Sequence, residues 1–323
     1  MDSPRLPDTA ELRAALAPLC AEAGFSPHPL ISIQREPNDR ASTFESEIVT
    51  CEFADGTRRR LFLKHTISIE DGDHGDATGG PAYEALVYSE LLRGVNRPEF
   101  YGLQSGRDGM RWLVLEFMED AVLHRQAEDE DAFLKAAAWL GRFHAAQERR
   151  SASSRPAGVR IHDAEFFRGC ARKANELAGV WHRCAPWLAA VCADFHSVAD
   201  VLLASPQTLV HGDCYAQNIL SRNGEIFLLD WEAAAIGAGE IDLAAFSEDW
   251  PEEDEKRFQR EYRAARWPAG APELFGRRLA AAHVFTHLQA MGGDPGWAQQ
   301  PEEAQWRLGE LRRWAGRFAS AAA

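Results

Sequence analysis

The sequence predicts an α+β chain in two parts, a small β-rich N-terminal lobe followed by a larger helical lobe. Three observations carry that prediction. From Leu30 to Glu119, short β-type runs dominate and one amphipathic helix interrupts them. After Glu119 the apolar positions recur at helical spacing, broken by Pro and Gly. The length of 323 residues suits about two domains, at roughly 150 residues per domain. The division is expected near residue 119, giving a lobe at 1–119 and a lobe at 120–323.

Each element has a local reason. Residues 9–23 read as a helix, because TAELRAALAPLC has an acid near its start and apolar positions at helical spacing. LISIQRE, EIVTCEF and RRLFLKHT read as three strands, with DGT at 55–57 as a hairpin turn. The acidic, Gly-rich stretch EDGDHGDATGGP reads as a loop. AYEALVYSELLRG reads as an amphipathic helix ending near Gly94, and PEFYGLQSGRDGMRWLVLEFME as a second hairpin. DEDAFLKAAAWLGRFHAAQERR begins with acids and ends with Arg, which suits the helix dipole, and SASSRPAG follows as a loop. Residues 161–205 carry more helical pattern. TLVHGDCYAQNIL and EIFLLDWEA read as two short β-like runs around the turn SRNG, and helices fill the chain from Asp242 onward.

Composition narrows the function. Asp and Glu number 49 against 35 Lys and Arg, a net charge of −14. Nucleic-acid binders need a basic field to neutralise phosphates, so a nucleic-acid partner is not expected. An acidic chain also repels anionic membranes and mildly favours cationic ligands. The six cysteines contain no CxxC pair, so neither a disulfide framework nor a zinc site is expected. No leader-like or membrane-spanning apolar run is present in the sequence, and a cytoplasmic monomer or homodimer is the expectation. Lys occurs only at 64, 135, 173 and 256, which makes each of these more informative than a Lys in an ordinary composition.

The chemistry concentrates in LVHGDCYAQNIL and LLDWE. Asn218 lies five residues after Asp213, and Asp230 lies seventeen after it, at the end of an apolar run. A carboxylate at the end of an apolar strand opens onto a sheet edge. An Asp and an Asn five apart on one loop can face the same way. Asn218 offers a neutral oxygen and Asp230 an anionic one, a hard donor set that suits Mg²⁺. Asp213 is then free to orient or deprotonate a hydroxyl.

HGDxxxxN followed by DWE resembles the aminoglycoside phosphotransferase/choline kinase family, relatives of the protein kinases. The resemblance implies a protein-kinase-like fold and extends over most of the chain. LFLKHT resembles the third strand of the small lobe, with Lys64 in the phosphate-contacting place. AYEALVYSELL resembles the next helix, with Glu84 placed to pair with Lys64 and Glu90 as the alternative on another face. WLVLEFMED resembles the hinge, where backbone groups of Glu116 and Met118 would meet the adenine, with Leu115 behind it. GAGEIDLAAF resembles the segment after the metal motif, whose Asp242 accepts bonds from catalytic-loop amides. Its local reading is an N-cap for a helix beginning at Leu243. His211 is expected to bond backbone around the metal motif. EPNDRASTFESEIV has no glycine, unlike the phosphate loop of protein kinases, and Ser42 and Thr43 are its candidate phosphate contacts. Trp231 in place of a flexible residue argues against an activation switch. His283 and His287 lie on one helix face, where packing or substrate contact is favoured over a metal.

The resemblance implies an ATP- and Mg²⁺-dependent phosphotransferase moving the γ-phosphate to a hydroxyl of a small molecule, aminoglycoside-like or another natural product. The alternatives are a metabolic kinase of an amino alcohol or sugar, and a catalytically dead nucleotide-binding scaffold. Intact Lys64, Asp213, Asn218 and Asp230 argue against the scaffold. The acidic run SEDWPEEDEKRF suggests Glu252, Glu253 and Asp254 as contacts for a cationic acceptor. Its simpler reading is an acidic helix N-terminus.

Overall fold

The computed structural model describes residues 6–38, 44–65, 80–106, 110–123, 131–153, 157–181, 185–293 and 300–321. The chain divides into two compact units. The first comprises Met1–Val122 with Leu220–Ala233, and the second Leu123–Ile219 with Ala234–Ala323. A single cut in the sequence cannot express this division, because the DWE segment groups with the first unit.

In the first unit, helix α1 (Thr9–Glu22) is capped by Asp8, whose carboxylate accepts from the Glu11 N–H at 2.8 Å. Its apolar face buries Leu12, Leu16, Leu19 and Cys20 against an antiparallel sheet. The sheet contains β1 (Leu30–Pro37), β2 (Ser46–Phe53), β3 (Arg58–His65), β4 (Phe100–Ser105) and β5 (Arg111–Glu116), in the order β1-β2-β3-β5-β4. Side chains alternate in burial along β2, as a strand with one covered face requires. One buried position on that strand is a carboxylate, Glu47, which is satisfied by Arg35 at 2.6 and 2.9 Å and by His65 at 2.7 Å. Register sets Lys64 opposite Ser46 on one side and Leu113 on the other.

The helix expected after β3 is α2 (Gly80–Leu86), but its continuation Val87–Leu91 widens into a π-helical turn. Apolar spacing could not reveal this, because Val87, Tyr88 and Leu91 are buried in either geometry. Two further strands of this region, Ile219–Arg222 and Glu225–Leu228, are joined by the turn at Asn223–Gly224.

The second unit is mainly helical. It contains α3 (Ala132–Ser153), α4 (Ala164–Trp181), α5 (Leu188–Ala193), α6 (Phe195–Leu203), α7 (Glu240–Phe246), α8 (Glu252–Arg266), α9 (Phe275–Gly293) and α10 (Pro301–Ser320). α3 runs through Ser153, into the stretch expected to be loop. Every residue of α7 is buried, which places that helix at the centre of the unit. Gln207–Val210 and Ala235–Ala238 form a two-stranded antiparallel pair, with Val210 opposite Ala235. The pair sets the start of α7 beside the loop that begins at His211. No helix among the described residues is long and apolar enough to cross a membrane.

Candidate active site

The residues singled out by the sequence form two clusters, one in each unit. In the first, the Lys64 ammonium donates to Glu84 at 3.1 Å, to Asp230 at 2.5 Å and to Glu232 at 2.6 Å. Glu84, and not Glu90, is the helix partner. Glu84 is 1% exposed on the buried face of α2, whereas Glu90 is solvent-facing and pairs with Arg93. The other Glu84 oxygen accepts from the Trp231 N–H at 3.1 Å, and the indole N–H of Trp231 donates to the Leu228 carbonyl at 2.9 Å. Asp230 makes the first of these bonds possible. Its φ of +64° turns the chain sharply out of the preceding strand. Left-handed backbone at a non-glycine residue is a strained conformation that clusters at functional sites. The Phe44 ring lies 5.3 Å from the ammonium.

Three carboxylates surround one ammonium. Burial works against the charge of Lys64, but Glu84, Asp230 and Glu232 together hold it protonated above the usual lysine range. Burial, then repulsion from Asp230, pushes Glu232 up to about 7, and burial raises Glu84 as well. One oxygen from each of Glu84, Asp230 and Glu232 lies within 4.8 Å of the others. Hard carboxylate oxygens with an excess of negative charge fit a divalent cation of the Mg²⁺ or Ca²⁺ type. Glu232 was missed in the sequence, although it is the third letter of DWE.

The expected hinge residues lie at and just beyond the end of β5, where the Glu116 N–H donates to the Glu99 carbonyl at 2.8 Å. The Glu116 carboxylate holds Arg222 at 2.5 Å and accepts from the Glu99 N–H at 3.1 Å. Met118 is buried, and its carbonyl accepts from the Ala121 N–H at 3.4 Å. Leu115 is buried in β5. Ser42 and Thr43 lie outside the described residues.

In the second unit, TLVHGDCYAQNIL is not one β-like run. Its strand ends at Val210, a loop follows, and Ala216–Asn218 form a short 3₁₀ turn before the next strand. The loop needs Gly212, whose φ is +83°. Asp242 holds it from α7, with one carboxylate oxygen accepting from the His211 N–H at 2.7 Å and the other from the Gly212 N–H at 2.9 Å. The capping alternative for Asp242 is wrong, because α7 begins at Glu240, with Gly239 at the cap position, and Asp242 sits inside its first turn. Asp242 also faces His144 Nε2 at 3.0 Å. Burial opposes its charge, yet His144, His211 and the loop amide keep the carboxyl below its usual range. The His211 ring accepts from the Asp213 N–H at 3.2 Å, within its own loop. Asn218 donates its amide N–H₂ to the Asp213 carbonyl and carboxylate, both at 2.9 Å, which turns its side-chain oxygen away from Asp213.

A further acid, Glu248, was not singled out by the sequence. Its side chain is 7% exposed, 3.3 Å from His287 Nδ1 and 3.8 Å from Arg307. Burial raises its carboxyl to about 7, Asp249 and Asp213 add to the rise, and Arg307 and a Tyr215 hydrogen bond oppose it. His283 and His287 are packing residues. His283 stacks on Trp314 with ring centres 3.6 Å apart, and burial lowers His287 to about 3. The acidic run is the first turn of α8, where Glu252 pairs with Lys256 at 2.9 Å and Arg317 at 3.1 Å, and Asp254 pairs with Arg257 at 3.2 Å. Glu253 lies in the same turn and is exposed.

A five-stranded antiparallel sheet unit followed by a helical unit, with a Lys–Glu pair in one and an HGDxxxxN loop in the other, defines the kinase-like phosphotransferase fold. The family model described as the phosphotransferase enzyme family matches residues 84–275, more than half of the chain, and the protein belongs to that family of enzymes. Among solved structures, the chain is similar to choline kinase LicA from Streptococcus pneumoniae, at 15% identity over 94% of this chain and 98% of that one, with a TM-score of 0.56. It is similar to spectinomycin phosphotransferase APH(9)-Ia in complex with ADP and spectinomycin, at 11% identity, 98% and 99% coverage, and a TM-score of 0.60. It is also similar to the amicoumacin kinase hAmiN in complex with AMP-PNP and Ca²⁺, at 12% identity, 96% and 94% coverage, and a TM-score of 0.61. These are likenesses of fold. No curated protein matches the sequence significantly.

Proposed function

We propose that this protein is an ATP-dependent kinase that phosphorylates a hydroxyl of a small, hydroxylated molecule. The observation that carries this reading is the Lys64 ammonium held among Glu84, Asp230 and Glu232. A lone buried lysine needs one counter-ion, and three leave a local negative excess that a divalent cation would relieve.

In this reading Glu84 aims Lys64 at the nucleotide phosphates. Asp230 and Asn218 supply an anionic and a neutral oxygen for Mg²⁺, and Glu232 adds a second carboxylate. The cation would neutralise charge on the phosphates being transferred. Asp213 takes the acceptor hydroxyl proton as the hydroxyl oxygen bonds to the γ-phosphorus and the bond from that phosphorus to the β-phosphate oxygen breaks, releasing ADP. Asp242 and His211 keep the loop in the shape that presents Asp213. In this reading the first unit, Met1–Val122 with Leu220–Ala233, is the nucleotide-binding part and the helical unit the acceptor-binding part.

For the acceptor we favour a cationic or polyhydroxylated compound, an antibiotic or another natural product. The acidic contacts offered to it are Glu252, Glu253 and Asp254, although Lys256, Arg257 and Arg317 already offset much of their charge. The choline, spectinomycin and amicoumacin enzymes named above are consistent with this range. A requirement for ATP fits a cytoplasmic enzyme.

The test is ADP release from ATP and Mg²⁺ against a panel of aminoglycosides, macrolides, amino alcohols and sugars. At least one acceptor should stimulate release in the native chain and none in Asp213→Asn. Nucleotide binding with no release on any acceptor would support a scaffold instead.

A further inference from the structure

The loop that carries Asp213 is tied to a helix far along the sequence by a buried chain of polar groups. Arg266 Nη1 donates to the Tyr262 hydroxyl at 2.5 Å. That hydroxyl is 2.8 Å from His144 Nδ1, and His144 Nε2 is 3.0 Å from Asp242. Asp242 in turn accepts from the His211 and Gly212 amides. His144, Tyr262 and Asp242 have no solvent exposure, and Arg266 has 3%. The backbone makes room for this chain. A Cβ at Gly239 would come within 3.0 Å of Arg266, His144 and Tyr262 at once.

Only one order of protons satisfies every member. A guanidinium only donates, so Tyr262 accepts from Arg266. An ionised Asp242 only accepts, so His144 carries its proton on Nε2. Burial keeps the imidazole neutral, so Nδ1 is an acceptor and the Tyr262 proton goes to it. The ionised Asp242 and the neutral imidazole fix this direction, and the Arg266 donor is compatible with it.

We propose that Tyr262 and Arg266 of α8 are positioning residues for the catalytic loop, acting by locking the His144 tautomer that holds Asp242. The consequence for turnover rests on the phosphotransferase reading of Asp213, but the lock itself does not. Arg266 is further held by Glu148 at 3.2 Å and by the Pro206 carbonyl at 3.4 Å, which fixes its end of the chain. A residue that acts this way changes the geometry of a loop it does not touch.

The experiment compares native protein, Tyr262→Phe, and Phe258→Leu as a control for packing loss in the same helix. Imidazole nitrogen NMR should report His144 protonated on Nε2 in the native protein. Amide hydrogen exchange at His211 and Gly212 should speed up by about tenfold in Tyr262→Phe and not in Phe258→Leu, since only the first loosens the hydrogen-bonded loop. The kcat of Tyr262→Phe should fall by roughly ten- to a hundredfold, the cost of a slightly misplaced reacting group, with both KM values within about twofold of native. A native His144 protonated on Nδ1 alone would overturn the proposal. So would unchanged protection of those two amides, whatever turnover does. If no acceptor is found, the NMR and exchange results still decide the lock, and only the kinase reading fails.

Discussion

Around Lys64, three carboxylates face one ammonium; around Asp242, one carboxylate faces two amide N–H groups and one imidazole nitrogen. The first cluster is electrostatically incomplete, and burial, with repulsion from Asp230, pushes two of its acids up. The second is complete without any ligand, and its carboxylate is held down. The difference separates two kinds of task. On the proposed reading, the unbalanced cluster receives a cation and a polyanion together. A balanced one needs no ligand to hold its shape, and it fixes where Asp213 sits. Substitutions in the two clusters should therefore fail in different ways.

The largest effect is expected at Asp213, the group the balanced cluster presents. Asp213→Ala should lose about two to four decades of kcat, the range for a missing general base, and keep its affinity for Mg-ATP. ADP release and titration with a fluorescent ATP analogue measure the two quantities separately. In the unbalanced cluster, binding and stability should suffer instead. Lys64→Met leaves one buried and two half-buried carboxylates without their cation and should cost about 3 kcal/mol in urea unfolding. Its deficit should shrink as the pH falls, because Glu84 and Glu232 then take up protons in the folded state. Asp230→Ala should abolish the Mg²⁺ dependence of nucleotide binding. Asn218→Ala should be milder, about tenfold in turnover and partly recovered at high Mg²⁺, since a neutral oxygen is a weaker ligand.

The smallest effect concerns Glu248. Its folded carboxyl titrates at about 7, above the usual 4.5, so the folded state binds more protons than the unfolded one between those values. Stability contributed by this group is therefore present at low pH and lost as pH rises towards about 7, at up to about 1.4 kcal/mol per pH unit. Glu248→Gln should flatten that slope in thermal melts taken from mildly acid to mildly alkaline pH. The same slope in both proteins would show that Glu248 is already ionised in the acid range.

Much of the small-lobe architecture was legible locally. Alternation along β2, the DGT turn and the helical spacing of α1 are properties of neighbouring residues, and the structure has them where the sequence placed them. The Lys64–Glu84 pair was legible because a rare lysine on a strand needs a partner and the family resemblance placed Glu84, ahead of Glu90, on the next helix. What failed was geometry that local spacing does not encode. Glu232 stands two residues from Asp230, and it joins the same cluster only because the chain turns at Asp230, with φ +64°. The shape of the HGDxxxxN loop was not legible, since both its ends are strands and the whole stretch reads as one β-like run. His144 reads as one more residue of a helix, and its partner Asp242 lies 98 positions away. The acidic run was read from its own charges, whereas Arg317, which offsets Glu252, comes from the last helix of the chain.

The most direct measurement of the central claim is phosphorus NMR of a reaction containing ATP, Mg²⁺ and a responsive acceptor, run with the native protein and with Asp213→Asn. The expected result is a new phosphate-monoester signal on the acceptor, matched by loss of the γ-phosphate signal and absent with Asp213→Asn. Loss of γ-phosphate to inorganic phosphate alone, or an equal ester signal from both proteins, would contradict it.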